Sequence, residues 1–357
     1  MAARRRRNLS PYEAFLAAGR ANVPRYGYRE GLDVPQWRAQ ALPAVLATLG
    51  PPPEPVDPDP ELLTEFEYRG VIMQRWLIDV ADGLSAIAVV NRPADPAPEH
   101  GFAGLLCWHG HGRFGKEPVM GNASTAAIRD YVAETGLDYG LRMALRGYVT
   151  FGIDWMGSGD RNDAHKPNGR PLVDGDWCNT YYLNATLLGR TVLGMNLAHG
   201  QRLLDFVLGL DFVDAGRIGV MGESYGGTLA VWSTLLDDRI GATEIICYSD
   251  TFADFALRDL NYCGSQVTPG LFTLVDVSDL HGLIAPGPLL TDISVFDECF
   301  RLESSSPCVD RVEAIYTAAG ASDRFSHQLF DHGHGWQERG SDEFFKRHLP
   351  VRPPSGR

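Results

Sequence analysis

The sequence predicts an α/β protein built on a mostly parallel, doubly wound sheet with helices on both faces. Three observations lead there. Short apolar runs alternate with helical patterns through most of the chain. Those runs are continuous rather than alternating, as expected of strands buried on both faces and joined by crossover helices. One of them runs directly into Gly222-Glu223-Ser224-Tyr225-Gly226-Gly227 and then into a helical pattern.

The elements follow in order. With 357 residues, 44% of them hydrophobic, the chain can bury a full core in one large domain or one domain with an appendage. Helix-like patterns over 11–50, including 37–49, stop where six prolines crowd residues 50–60; proline lacks the donor and the φ freedom a helix needs. Residues 1–60 are therefore expected to be a helical segment with a proline-rich linker, and residues 61–350 the main domain. Runs at 62–68, 71–80 and 85–90 predict an antiparallel opening of the sheet. Strands are then expected at 104–108, 149–153, 218–221, 243–248 and 288–293, with helices at 126–144, 185–207 and 227–236. Two stretches interrupt the alternation, a polar insertion at about 161–185 and a long excursion at 252–283. Long connections in compact domains tend to be lids or binding loops, so both are read as walls of a pocket.

Charge narrows the partners. Lys and Arg number 32 against 45 Asp and Glu, a net charge of -13, which argues against a nucleic-acid or anionic-membrane surface and favours a neutral or cationic small substrate. Cys107, Cys178, Cys247, Cys263, Cys299 and Cys308 are scattered without CxxC spacing, and several of them lie in apolar runs and read as small core residues. Arg4 to Arg7 are followed by Ser10-Pro11-Tyr12-Glu13 rather than an apolar core, so no export signal is expected. No uncharged apolar stretch approaches the roughly 20 residues that span a bilayer. A cytoplasmic protein is the expectation.

Ser224 is the candidate nucleophile. A serine hydroxyl is weak at neutral pH; it must be exposed, set beside a base and faced by donors for the oxyanion it creates. Small residues two before and two after Ser224 let strand turn sharply into helix, which is the nucleophile elbow of the α/β-hydrolase fold. The Tyr225 N–H then faces the reacting carbonyl. The second donor belongs after the third main strand, where Trp108-His109-Gly110-His111-Gly112 offers the His111 N–H first and that of Gly112 second.

Chain order then asks for an acid followed by a histidine. Asp297, just past the strand at 288–293, is the candidate acid, with Asp250 as the rival; Asp292 lies within the strand and should not reach. A carboxylate there would hold the histidine tautomer that makes Nε2 basic. Leu329-Phe330-Asp331 closes a short strand before His332-Gly333-His334-Gly335, and His334 between two glycines is the candidate base, with His332 second. His-Gly-His-Gly thus occurs twice, and four histidines could in principle hold zinc. The positions suit an oxyanion loop and a base better, so neither metal nor cofactor is expected.

With these pieces placed, the chain resembles bacterial α/β hydrolases of the acetyl xylan esterase-like and dienelactone hydrolase-like group. The resemblance rests on residues 108–112, Asp154-Trp155-Met156-Gly157-Ser158-Gly159-Asp160-Arg161, Gly189-Arg190, residues 214–217, Pro269-Gly270-Leu271 and residues 283–290. It implies a Ser224, Asp297, His334 triad, hydrolysis of a carboxylic ester, and room for a homo-oligomer. Relatives often carry Arg at the positions of Met156 and Gly287, so their substrate preference does not transfer.

The expected reaction is attack by Ser224 on the acyl carbonyl of a small-molecule ester. A thioesterase, a peptidase and a biosynthetic acyltransferase or cyclase share the triad, and a non-enzymatic binding protein is the remaining alternative. Trp108, Trp155, Phe296 and Trp336 are read as an aromatic substrate pocket, which Tyr26 and Tyr28 would help to close.

Overall fold

The computed structural model describes residues 7–163 and 177–350. The polar stretch around Asn168 and most of the basic run at the start lie outside the described residues. Among the described residues nine strands form one sheet: β1 (Glu61–Tyr68), β2 (Val71–Ala81), β3 (Leu84–Pro93), β4 (Phe102–Trp108), β5 (Val149–Gly152), β6 (Val213–Glu223), β7 (Ile240–Ile246), β8 (Leu289–Ser294) and β9 (Phe325–Phe330), in the order β1-β2-β3-β5-β4-β6-β7-β8-β9. The first three pair antiparallel, and β3 meets β5 antiparallel. From β5 to β9 every pairing is parallel. The doubly wound architecture expected from the sequence is the one observed.

Alternate residues of the parallel strands feed two cores. Leu106, Trp108, Val220 and Ile245 face one layer of helices, including Val192–Val207 and Tyr225–Leu236. Leu105, Cys107, Met221 and Ile246 face the other, packed by Tyr139, Met143, Phe344 and Phe345. This period of two explains why the runs look uniformly apolar: both faces are covered.

Two expected helices are each broken in two. The pattern at 126–144 splits into Ala126–Thr135 and Tyr139–Leu145, because Gly136 adopts the left-handed conformation at φ 70° and caps the first helix. The pattern at 185–207 splits into Trp177–Leu187 and Val192–Val207, where the Thr191 side chain caps the second through Gly194 N–H. The apolar period runs across both breaks, so only the caps reveal them.

The helices Pro11–Ala21 and Val34–Leu46 pack on the outside of the 252–283 excursion. Trp37 Nε1 donates to Tyr26 O at 2.6 Å, Arg38 Nε to Leu283 O at 2.8 Å, and Tyr28 N to Asp279 Oδ1 at 2.9 Å. These bonds tie the amino-terminal segment to the carboxyl part of that excursion. Among the described residues no helix is long and apolar enough to cross a membrane.

Candidate active site

Ser224 sits between β6 and the helix Tyr225–Leu236 at φ 56° and ψ -118°, a conformation that L-residues rarely adopt and that costs on the order of 1–3 kcal/mol. The turn is possible because the chain closes on itself without side chains. A Cβ on Gly222 would stand 2.2 Å from Gly226 O, and one on Gly226 would stand 2.2 Å from Trp108 O. Ser224 N donates to Ile246 O at 2.8 Å, which ties the elbow to the end of β7. The serine opens into a cleft of about 480 Å³ lined by His111, Tyr131, Glu223, Tyr262, Phe300 and His334, among others.

Asp297 meets His334, which lines that cleft. His334 Nδ1 lies 2.9 and 3.0 Å from the two Asp297 oxygens, and Asp297 is buried. Asp297 is itself held, since Oδ1 accepts from the backbone N–H groups of Cys299 at 2.7 Å and Phe300 at 2.9 Å. The imidazole stacks on Phe300. Of the glycines beside His334, Gly335 is required by contact: its Cβ would lie 2.3 Å from Thr135 O, where Trp336 N also docks at 2.9 Å. Gly333 has room to spare.

Glu223 joins the site although nothing in the elbow motif marks it. This residue ends β6, is buried, and places Oε1 2.6 Å from His334 Nε2. Its other oxygen occupies the space where a Cβ on Gly110 would fall, 2.2 Å away. The imidazole is thus clasped between two carboxylates. Burial alone would lower its pKa, but the charge of Glu223 and the hydrogen bond that Nδ1–H donates to Asp297 outweigh it and hold the group well above the ordinary histidine value. Among the described residues Ser224 Oγ has no hydrogen bond, so His334 Nε2 must leave Glu223 to reach it. A carboxylic residue immediately before the elbow serine, at a strand end that points into the site, is the signal that would have found it.

The rivals lie elsewhere. Asp250 accepts from Ser304 Oγ at 2.8 Å and from its neighbour's N–H, and burial pushes its carboxyl up to about 7. Asp292 is buried in β8 beside Glu244, and burial together with that second carboxyl raises it well above the usual range. His332 Nδ1 turns to the Gly333 carbonyl at 3.3 Å.

The loop after β4 lies against the elbow, with a Cβ on Gly110 reaching Ser224 Cβ at 3.0 Å. Its two histidines diverge. His109 is buried, with Nδ1 2.8 Å from Gly110 O and Nε2 3.2 Å from Asp154 Oδ1. Asp154 also takes the fully buried Lys116 Nζ at 2.7 Å, and Lys116 reaches Asp160 at 2.6 Å. His111 instead points its ring outward, between Trp155 and Tyr225.

The four aromatic residues expected to form the pocket do not line the cleft. Trp108 is in the core and donates to Ser233 Oγ at 3.1 Å; Trp336 is in the opposite core and donates to Glu244 Oε1 at 3.2 Å. Trp155 stands behind His111, and Phe296 is 67% exposed outside it. The reason is the strand period: adjacent positions at a strand end face opposite layers, and a pattern cannot say which layer faces the cleft. The aromatic walls are Tyr131, Tyr262 and Phe300. Tyr26 and Tyr28 belong to the amino-terminal packing described above. Gly287 precedes β8 at its amino end, roughly 20 Å of strand from Ser294 at the site end, so it does not shape the cleft.

Cys178 and Cys263, which share no spacing rule in the sequence, are brought together with His111; their sulfurs and an imidazole nitrogen all lie within 4.8 Å of one another.

A strand, a serine at positive φ, a helix, and an Asp-His pair at the carboxyl ends of later strands define the α/β-hydrolase fold, and the comparisons agree. No family model matches the chain. A curated relative, "Putative hydrolase YtaP" of Bacillus subtilis (strain 168), is 26% identical over 291 residues, covering 80% of this chain and 90% of the relative. Among solved structures, a "putative acetyl xylan esterase" from Bacteroides fragilis NCTC 9343 superposes with TM-score 0.74 at 17% identity, over 99% of this chain and 93% of the other. A glucuronoyl esterase from Solibacter usitatus gives TM-score 0.62 at 15% identity over 90% and 95%. The acetyl xylan esterase of Paenibacillus sp. R4 gives 0.57 at 19% identity over 94% and 99%.

Proposed function

We propose that the protein hydrolyses a carboxylic ester of a small molecule through an acyl-enzyme on Ser224. The observation that carries this reading is a serine held at φ 56° in the same cleft as an imidazole whose Nδ1 is gripped by a buried carboxylate at 2.9 Å. His334 Nε2 exchanges Glu223 for the Ser224 hydroxyl and takes its proton as Oγ attacks the acyl carbon. Asp297 holds the ring and offsets its positive charge. The N–H of Tyr225, first in its helix, and that of His111 receive the oxyanion. The protonated imidazole then gives its proton to the leaving alcohol, and water, activated by the same nitrogen, releases the acid. The similarity to the named esterases supports an ester over an amide.

A fluorophosphonate probe tests the reading. The wild-type protein is expected to label stoichiometrically and Ser224→Ala not at all; full labelling of Ser224→Ala would overturn the assignment. A panel of p-nitrophenyl esters, thioesters and peptide amides then separates an esterase from a thioesterase or peptidase, with the esters expected to turn over fastest.

A further inference from the structure

One wall of the cleft carries a second group of reactive side chains. Cys178 is the second residue of the helix Trp177–Leu187, Cys263 precedes the turn Gly264–Gln266, and His111 belongs to the loop after β4. Their three donor atoms lie within 4.8 Å of one another, with His111 Nε2 3.1 Å from Cys263 Sγ. Neighbouring contacts hold all three in place. Gly264 N donates to Asn179 Oδ1 at 2.8 Å, and a Cβ on Gly264 would lie 2.3 Å from Tyr182 Cβ, so the helix and the turn are pressed together beside the two sulfurs. The His111 ring is oriented by Trp155 and Tyr225, each with its centroid 5.0 Å away.

We propose that His111, Cys178 and Cys263 bind a soft divalent cation, Zn²⁺, on the wall of the cleft. Two sulfurs and one imidazole nitrogen are the donors such an ion prefers, and they discriminate against Mg²⁺ and Ca²⁺. Bond lengths of about 2.3 Å to sulfur and 2.0–2.1 Å to nitrogen put tetrahedral ligand atoms roughly 3.5–3.8 Å apart, within reach of this cluster after small shifts. Two thiolates and a neutral imidazole balance the charge of the ion, and binding releases the two thiol protons. His111 and Cys263 both line the cleft, which puts the ion at its wall. The ion would fasten together three walls: the loop carrying His111, the helix carrying Cys178 and the excursion carrying Cys263. The inference rests on these three residues and stands whether or not Ser224 is the nucleophile.

Co²⁺ is the probe, added to reduced, metal-free, full-length protein. One equivalent is expected to produce thiolate-to-Co²⁺ charge-transfer absorption, which Zn²⁺ then bleaches. Cys178→Ser and Cys263→Ser are each expected to weaken Co²⁺ binding by at least about 100-fold, more than loss of an outer partner of a ligand costs. Cys299→Ser, which removes another thiol lining the same cleft, is expected to keep the band. A measurement on the unaltered chain covers the case in which a variant does not fold: of the six free cysteines, Zn²⁺ should protect Cys178 and Cys263 from alkylation, as mapped by mass spectrometry. Absence of a thiolate band in the wild-type protein, a band undiminished in both Cys178→Ser and Cys263→Ser, or unchanged alkylation of both thiols with Zn²⁺ would overturn the proposal.

Discussion

The same four residues, His-Gly-His-Gly, stand at 109–112 and at 332–335, and the protein uses them in opposite ways. In the first copy the leading histidine is buried beside Asp154 and the second turns its ring to Cys263. In the second copy the leading histidine turns to its own loop carbonyl, and the second is clasped between Asp297 and Glu223. The tetrapeptide supplies flexible backbone and imidazoles, and the neighbouring strand ends decide what each ring does. The first copy follows a strand in the middle of the sheet, where covering layers bury its first ring. The second follows the edge strand β9, where the loop can fold back over the carboxyl ends.

The largest expected effect breaks the comparison at His334. His334→Ala should lower kcat/KM on an ester by on the order of 10³-fold or more, as loss of a general base does when its partners act as a unit. Next comes the buried cluster behind the first copy. Asp154→Ala leaves Lys116 buried with only part of its countercharge and should cost about 3–5 kcal/mol in chemical unfolding. A change within 1 kcal/mol would mean that this cluster does not hold the first loop.

Glu223→Gln sharpens the comparison without removing a histidine. Because the folded chain raises the His334 pKa above its ordinary 6.5, the clasp stabilises fully below that pH and fades as pH rises through the raised value. The proposed mechanism uses the neutral ring, so the rate should climb over that same interval. Glu223→Gln removes the charge that contributes most to the rise, and the acid limb of the kcat/KM profile should move to lower pH. Superimposable profiles would take Glu223 out of the site. The smallest effect is expected of His332→Ala, a change in kcat/KM of less than about threefold; a loss matching that of His334→Ala would transfer the base to His332.

Much of the site was legible because its parts obey local rules. Gly222 and Gly226 announce the elbow through the space that they leave empty, and chain order then places an acid and a histidine after it. What could not be read depends on direction. Trp108 and Trp336 were expected in the cleft but pack into opposite cores, and Glu223, given no role beyond its place in the elbow, meets the histidine. Cys178 and Cys263 are 85 positions apart and share no spacing rule, so only the packing of a helix against a distant turn could bring them together.

The sequence by itself determined the sheet, its antiparallel opening, and the serine turn, because period, proline and glycine act over a few residues. Tertiary structure decided what each histidine of the two pairs meets, which aromatic residues line the cleft, and which carboxylate meets Nε2 of His334. Those outcomes depend on the face each strand end presents and on what the neighbouring layer leaves open, and neither is encoded within one segment of chain.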